Sequence, residues 1–169
     1  MPPFRVVAIS AEIAEAVRTT RLAPAYGHPA HGEIATGYGP CRLCLRDFAI
    51  GRDRRLLFTY DCFHGKEDLP LPGPIFIHEG SCARFPEDGG FPPDSRRHPL
   101  TLNAYARGRK LIAQKYVRDG SIEPTIAELF ESTDVDYIHV RDTNAGCFDF
   151  AIERPRTGSS DPTLSTTAP

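Results

Sequence analysis

The residue types best suited to chemistry gather near the C-terminal end of the sequence, in Tyr137-Ile138-His139-Val140-Arg141 and in Gly146-Cys147-Phe148-Asp149. Alternation over these stretches predicts a hairpin with Ile138, Val140, Phe148, Phe150 and Ile152 on one face. So large an apolar face belongs against a core. The opposite face then carries His139, Arg141, Cys147 and Asp149. If Val140 pairs with Phe148, His139 lies opposite Asp149 and Arg141 opposite Cys147. A carboxylate beside an imidazole sets its tautomer, and a nearby cation lowers a thiol's pKa. These are the parts of an activated cysteine, with Cys147 as nucleophile, His139 as base and Asp149 as its orienter. The plainer reading is the solvated face of an edge hairpin carrying an ordinary ion pair.

Metal ligands are the second candidate chemistry. Cys41-Arg42-Leu43-Cys44 has the spacing of half a zinc site, and His28-Pro29-Ala30-His31 lies just upstream. Cys62-Phe63-His64 offers a further pair. Zinc takes four nitrogen or sulfur ligands in a tetrahedron, and a zinc knuckle presents both of its cysteines from one turn. Residues Cys41 to Asp47 instead alternate like a strand, which sends Cys41 and Cys44 to opposite faces. The expectation is therefore no bound metal and no cofactor. His78-Glu79 fails as a metalloprotease signature, because Cys82 stands where the second histidine is needed and Gly80 would break the helix. His78 reads as a polar strand end. No glycine-rich phosphate loop and no nucleophile elbow is present.

The elements that must position these residues follow from periodicity. Phe4 to Ile9 is β-prone, and Ser10 can cap a short helix carrying Ile13, Ala14 and Val17 on one face. Pro24 to Pro40 is rich in proline and glycine and reads as a long irregular loop. Leu56 to Cys62 is apolar on both faces and predicts a central strand. Ile75 to His78 is another strand. Leu100 to Tyr105 and Leu111 to Val117 form a hairpin through Arg107-Gly108-Arg109. Ile122, Ile126, Leu129 and Phe130 recur at helical spacing behind Ser121. The two helices do not alternate with the strands, so the expected class is α+β, mainly antiparallel hairpins with two short helices. One domain over residues 1–154 is expected, followed by a disordered tail over residues 155–169.

Composition narrows the function classes. Hydrophobic residues are 40% and charged residues 25% of the 169, an ordinary globular mixture. The net charge is −2, from 20 basic and 22 acidic residues, so neither nucleic acid nor a membrane surface is an expected partner. No apolar run reaches a membrane span, and Val6 to Ile9 is too short, and too soon followed by Glu12, for a signal peptide. A cytoplasmic location is expected. There the 5 cysteines should be thiols or metal ligands, not disulfides.

Several stretches taken together resemble a known family. Gly39-Pro40-Cys41-Arg42, Gly73-Pro74-Ile75-Phe76-Ile77, Leu100-Thr101-Leu102-Asn103-Ala104-Tyr105, and Tyr137-Ile138-His139-Val140 leading to Gly146-Cys147-Phe148 occur in that order. From about Phe4 to Arg154 the chain is similar to a bacterial family catalogued as domain of unknown function 1203. The resemblance implies a small bacterial cytosolic protein and no particular activity, and it draws attention to Cys41, His139 and Cys147. Cys44 departs from the pattern it implies, which counts against a zinc pair. Three functions follow as expectations. The leading one is binding of a small anionic ligand by Tyr137, His139, Arg141 and Cys147, with Cys41 and Arg42 nearby and the Pro24 to Pro40 loop as a roof. The second is a cysteine-dependent hydrolase or transferase built on Cys147, His139 and Asp149. The third is a non-catalytic interaction module using Pro70 to Pro74 or an open sheet edge.

Overall fold

A computed structural model describes residues 3–66 and 69–156. Most of the expected tail therefore lies outside the described residues. Two helices and eight strands in two antiparallel sheets make up the α+β architecture that the periodicity predicts. Strand β1 (Arg5–Val7) leads into helix α1 (Ala11–Thr20), whose first turn is capped by Ser10 Oγ accepting from the Ile13 amide at 3.3 Å. Then follow β2 (His31–Ile34), β3 (Arg54–Asp61), β4 (Pro72–His78), β5 (Leu100–Ala106), β6 (Lys110–Val117), helix α2 (Ile122–Glu131), β7 (Tyr137–Asp142) and β8 (Phe148–Glu153).

The larger sheet has the order β1-β8-β7-β5-β6, and the smaller has the order β2-β3-β4. β3 is the central strand of the smaller sheet, as expected, with Leu56 and Phe58 of one face buried and Leu57 of the other partly so. Two apolar clusters hold the layers together. Ile138, Val140, Phe150 and Ile152 pack with Ile122, Ile126 and Leu129 of α2. Tyr105, Tyr137, Phe148 and Ala151, from the other face of the same sheet, pack with Phe58, Ile75 and Ile77 of the smaller sheet and with Val17 of α1. The larger sheet is thus covered on both sides, and the polar face expected in solvent is part of a second core.

Three local expectations are corrected. Residues 24–40 are not wholly irregular: His31–Ile34 pairs with β3, with Gly32 opposite Leu56. Residues 41–47 form no strand. They make a tight turn, closed by Leu45 N–H donating to the Cys41 carbonyl (2.8 Å) and Cys41 N–H donating to the Arg46 carbonyl (2.9 Å). The closing hairpin, finally, has a different register. Val140 lies opposite Phe150, His139 opposite Ala151 and Arg141 opposite Phe148. One additional residue, Asp149, bulges between Val140 and Arg141, and this turns Phe148 to the face opposite Phe150.

Candidate metal centre

The turn over residues 41–47 brings together side chains that alternation would have separated. Leu45 holds a left-handed conformation at φ 56°, which folds the chain sharply after Cys44. Burial of the Leu45 side chain at 1% exposure in the apolar core keeps it there. Backbone N–H groups then point at sulfur. Cys41 Sγ accepts from the amides of Cys44 and, at 3.3 Å, His78, while Cys44 Sγ accepts from that of Arg46. Strand β4 ends at His78 beside this turn, held by Arg42 N–H donating to the Phe76 carbonyl at 3.0 Å. The chain then runs irregularly over residues 79–94, and Cys82 enters from that segment.

Cys41, Cys44, His78 and Cys82 thereby offer four donor atoms that all lie within 4.8 Å of one another. Cys41 Sγ is 3.8 Å from Cys82 Sγ, and Cys44 Sγ is 3.5 Å from His78 Nδ1. Zinc–sulfur bonds of about 2.3 Å and zinc–nitrogen bonds of about 2.0 Å set tetrahedral edges of roughly 3.8 Å between sulfurs and roughly 3.5 Å between sulfur and nitrogen. Both observed separations fit. The surroundings suit an anionic centre as well. Arg18 Nη2 donates to Cys82 Sγ at 3.3 Å and Arg18 Nε to the His78 carbonyl at 3.1 Å. Arg46 hydrogen-bonds Cys44.

Contacts within the cluster redistribute protons among Cys41, Cys44 and His78. Hydrogen bonds from Cys41, then from Cys82 and His78, push the Cys44 thiol far down, whereas its bonds to Cys44 and Cys82 and then burial push Cys41 far up. His78 rises to about 10, first through Cys44 and then through Cys82. A thiolate on Cys44 beside an imidazolium on His78 is the proton arrangement that a divalent cation would displace.

The structure corrects the strand at residues 41–47, and with it the opposite faces on which Cys41 and Cys44 were expected to lie. The other candidate ligands stand in other contacts. His28 bonds Thr59 Oγ1 at 2.7 Å, His31 lies 3.7 Å from Glu33, and Cys62 accepts from Arg141 Nη2 at 3.3 Å. The pair that the structure brings beside Cys41 and Cys44 is His78 and Cys82, from His78-Glu79-Gly80-Ser81-Cys82. A Cys-x2-Cys followed by a His-x3-Cys is a ligand spacing legible in the sequence, although His78-Glu79 on its own resembles a failed protease motif.

The hairpin residues are divided among three settings. His139 is 1% exposed within a box of Phe63, Tyr105, Tyr137 and Phe148, with ring centroids 4.8 to 5.2 Å away. Burial, then the charges of Arg141 and Lys66, lowers it to about 3, and its Nδ1 has no hydrogen-bond partner among the described residues. Asp149 pairs with Arg42 instead, Oδ1 to Nη2 at 2.8 Å, and both are buried. Burial pushes the Asp149 carboxyl up to about 6, against the pull of Arg42. Arg42 also donates to the carbonyls of Phe148 (2.8 Å) and Pro40 (2.5 Å), so it locks the turn over residues 41–47 to β8.

Arg141 and Cys147 alone of the hairpin set reach a cavity, of about 210 Å³, together with Tyr60, Cys62, Phe148 and residues 71–75. Residues 71–75 form its wall where the loop over residues 24–40 had been expected as a roof. Among the described residues no hydrogen bond joins Cys147 to His139; the Cys147 thiol lies 3.9 Å from the Ala145 carbonyl.

No helix of the described residues is long and apolar enough to cross a membrane. No curated protein and no solved structure matches the chain. One family, described as Protein of unknown function (DUF1203), matches residues 38–154, a stretch that contains all four donors of the cluster and both halves of the closing hairpin. Since the match spans most of the chain, this protein belongs to the DUF1203 family.

Proposed function

We propose that this protein is a zinc-stabilised binding domain, with Zn²⁺ held by Cys41, Cys44, His78 and Cys82. The observation that carries the reading is the convergence of four soft or borderline donors within 4.8 Å, from two pairs far apart in sequence. Three thiolates and one imidazole favour zinc over magnesium or calcium, which take oxygen ligands. Four protein ligands complete the tetrahedron and leave no position for water or substrate, the pattern of a structural site. Its location agrees. The metal would join a tight turn to the irregular segment 79–94, where backbone pairing is sparse.

The test is metal analysis of the full chain purified without chelator, followed by exchange to Co²⁺. One zinc per chain and the visible bands of tetrahedral cobalt thiolate are expected, and Cys44→Ser should lose both. Absence of zinc together with absence of cobalt–thiolate absorption would overturn the centre.

A second reading concerns what the domain binds. The cavity beside Arg141 and Cys147 has mainly apolar walls and one guanidinium, whose Nη1 donates to the Gly146 carbonyl at 3.2 Å. At about 210 Å³ it suits a small carboxylate with a short apolar tail. Catalysis by Cys147 finds less support. An imidazole lowered to about 3 is a poor base at neutral pH, and its intended orienter Asp149 is engaged by Arg42.

A further inference from the structure

We propose that the basic cavity beside the metal centre admits small anionic disulfides and that Cys82 is the sulfur that reacts with them, joining Cys41 and ejecting the metal. This rests on the zinc reading and deepens it. The four donors are unequal. Cys41 is 0% and Cys44 5% exposed, whereas Cys82 and His78 are only partly covered and line a cavity of about 270 Å³. The same cavity is lined by Arg46, Arg52, Arg54 and Asp53. Arg54 is paired with Glu79 at 2.6 Å, and Asp53 with His78 at 3.3 Å. Arg52 and Arg46, the latter also hydrogen-bonded to Cys44, are both exposed and stand as cations at the mouth with no ion pair to a carboxylate among the described residues. A reagent carrying carboxylates is therefore concentrated where the accessible sulfur lies.

The partner for a second step is already adjacent, since Cys41 Sγ is 3.8 Å from Cys82 Sγ. Cys82 sits in a segment without helix or strand, which can close that gap more readily than a ladder residue could. In the first step the Cys82 thiolate attacks one sulfur of the reagent. A mixed disulfide forms, the reagent's S–S bond breaks, and one thiolate leaves with the electron pair. In the second, the Cys41 thiolate attacks the Cys82 sulfur and releases the other reagent thiolate. Two cysteine thiolates are oxidised to one disulfide while the reagent is reduced to two thiolates. Zn²⁺, left with Cys44 and His78, dissociates.

The experiment treats the zinc-loaded full chain with three small disulfides of similar size: anionic dithiodiglycolate, neutral bis(2-hydroxyethyl) disulfide and cationic cystamine. Zinc release is followed with a chromogenic chelator, and each rate is divided by that reagent's rate with a neutral thiol, 2-mercaptoethanol. The anionic reagent should be favoured by about tenfold or more over the cationic one. Tryptic mass spectrometry should find Cys41 linked to Cys82, with Cys62 and Cys147 still thiols. In Arg46→Gln/Arg52→Gln the charge preference should vanish, and the wild-type charge series with its disulfide map decides the matter even if that variant does not fold. Equal normalised rates, retention of zinc, or a disulfide at other cysteines would overturn the proposal and leave the metal centre standing. A chain that carries no zinc at the outset overturns the centre itself and this inference with it.

Discussion

Asp53 Oδ2 lies 3.3 Å from Nε2 of His78, across the ring from the Nδ1 that meets Cys44 at 3.5 Å. A carboxylate on the far nitrogen of a ligating imidazole fixes its tautomer and raises its basicity. Asp53 is itself held, because its Oδ2 accepts from the Ala49 amide at 2.8 Å. That bond first, and His78 after it, keep the Asp53 carboxyl below its usual range. The turn leading into β3 thus supports the histidine at the end of β4.

Replacing Asp53 by Asn should therefore weaken zinc binding without removing a ligand. The dissociation constant, measured by competition with a chelator, should rise about 10–100-fold. An unchanged constant would show that the carboxylate has no part in holding the ring.

Chelation should also act on the fold. A metal held by the four donors would tie the turn over residues 41–47 to segment 79–94, so stripping it should lower the urea midpoint, and stoichiometric Zn²⁺ should restore it. Cys62→Ser, outside the cluster, should respond to chelator as the wild type does. If the midpoint is the same with and without metal, the centre does not stabilise the domain.

The Arg42–Asp149 pair carries a stability prediction of its own. Arg42→Met leaves a carboxylate at 1% exposure without its cation, at a cost of about 3–5 kcal/mol. Adding Asp149→Leu removes the orphaned charge, so the double variant should be less destabilised than the sum of the singles by about 1 kcal/mol or more. Additive losses in urea titrations would mean that the two side chains do not interact.

For His139 the sign follows from burial. Its folded value is lowered to about 3, whereas an unfolded histidine titrates near 6.5. Between those limits the unfolded chain binds more protons, so stability is complete above about pH 6.5 and falls as the pH drops toward 3. The slope from this group approaches about 1.4 kcal/mol per pH unit. His139→Phe should flatten the acid limb of the stability profile; an equally steep limb in that variant would assign the loss to other groups.

At the smaller cavity, binding should depend on charge and chain length. Short aliphatic carboxylates should shift the amide NMR signals of Gly146 and Cys147, whereas the corresponding primary amides should not. Arg141→Gln should abolish the shifts. Equal responses to acids and amides would exclude Arg141 as an anion ligand.

Much of this molecule could be read from local pattern. Period-two alternation marked β5, β6 and β7, helical spacing marked α2, and Ser10 announced the start of α1, because each signal reports contacts between residues close in sequence. The α+β class followed from their order. Ligand spacing was also visible, in Cys41 with Cys44 and in His78 with Cys82. What no local pattern could supply was the meeting of the two pairs. A left-handed Leu45 turned an apparent strand into a knuckle, and that conformation is held by the core around the Leu45 side chain. Likewise the bulge at Asp149 follows from a buried cation contributed by Arg42, a residue remote in sequence. It moved His139 away from the carboxylate assigned to it, and Phe63, in the turn that follows β3, then packs on the imidazole. Alternation fixes which side chains share a face only while the ladder is regular. Which faces are buried, and which distant donors converge, is decided by packing between elements.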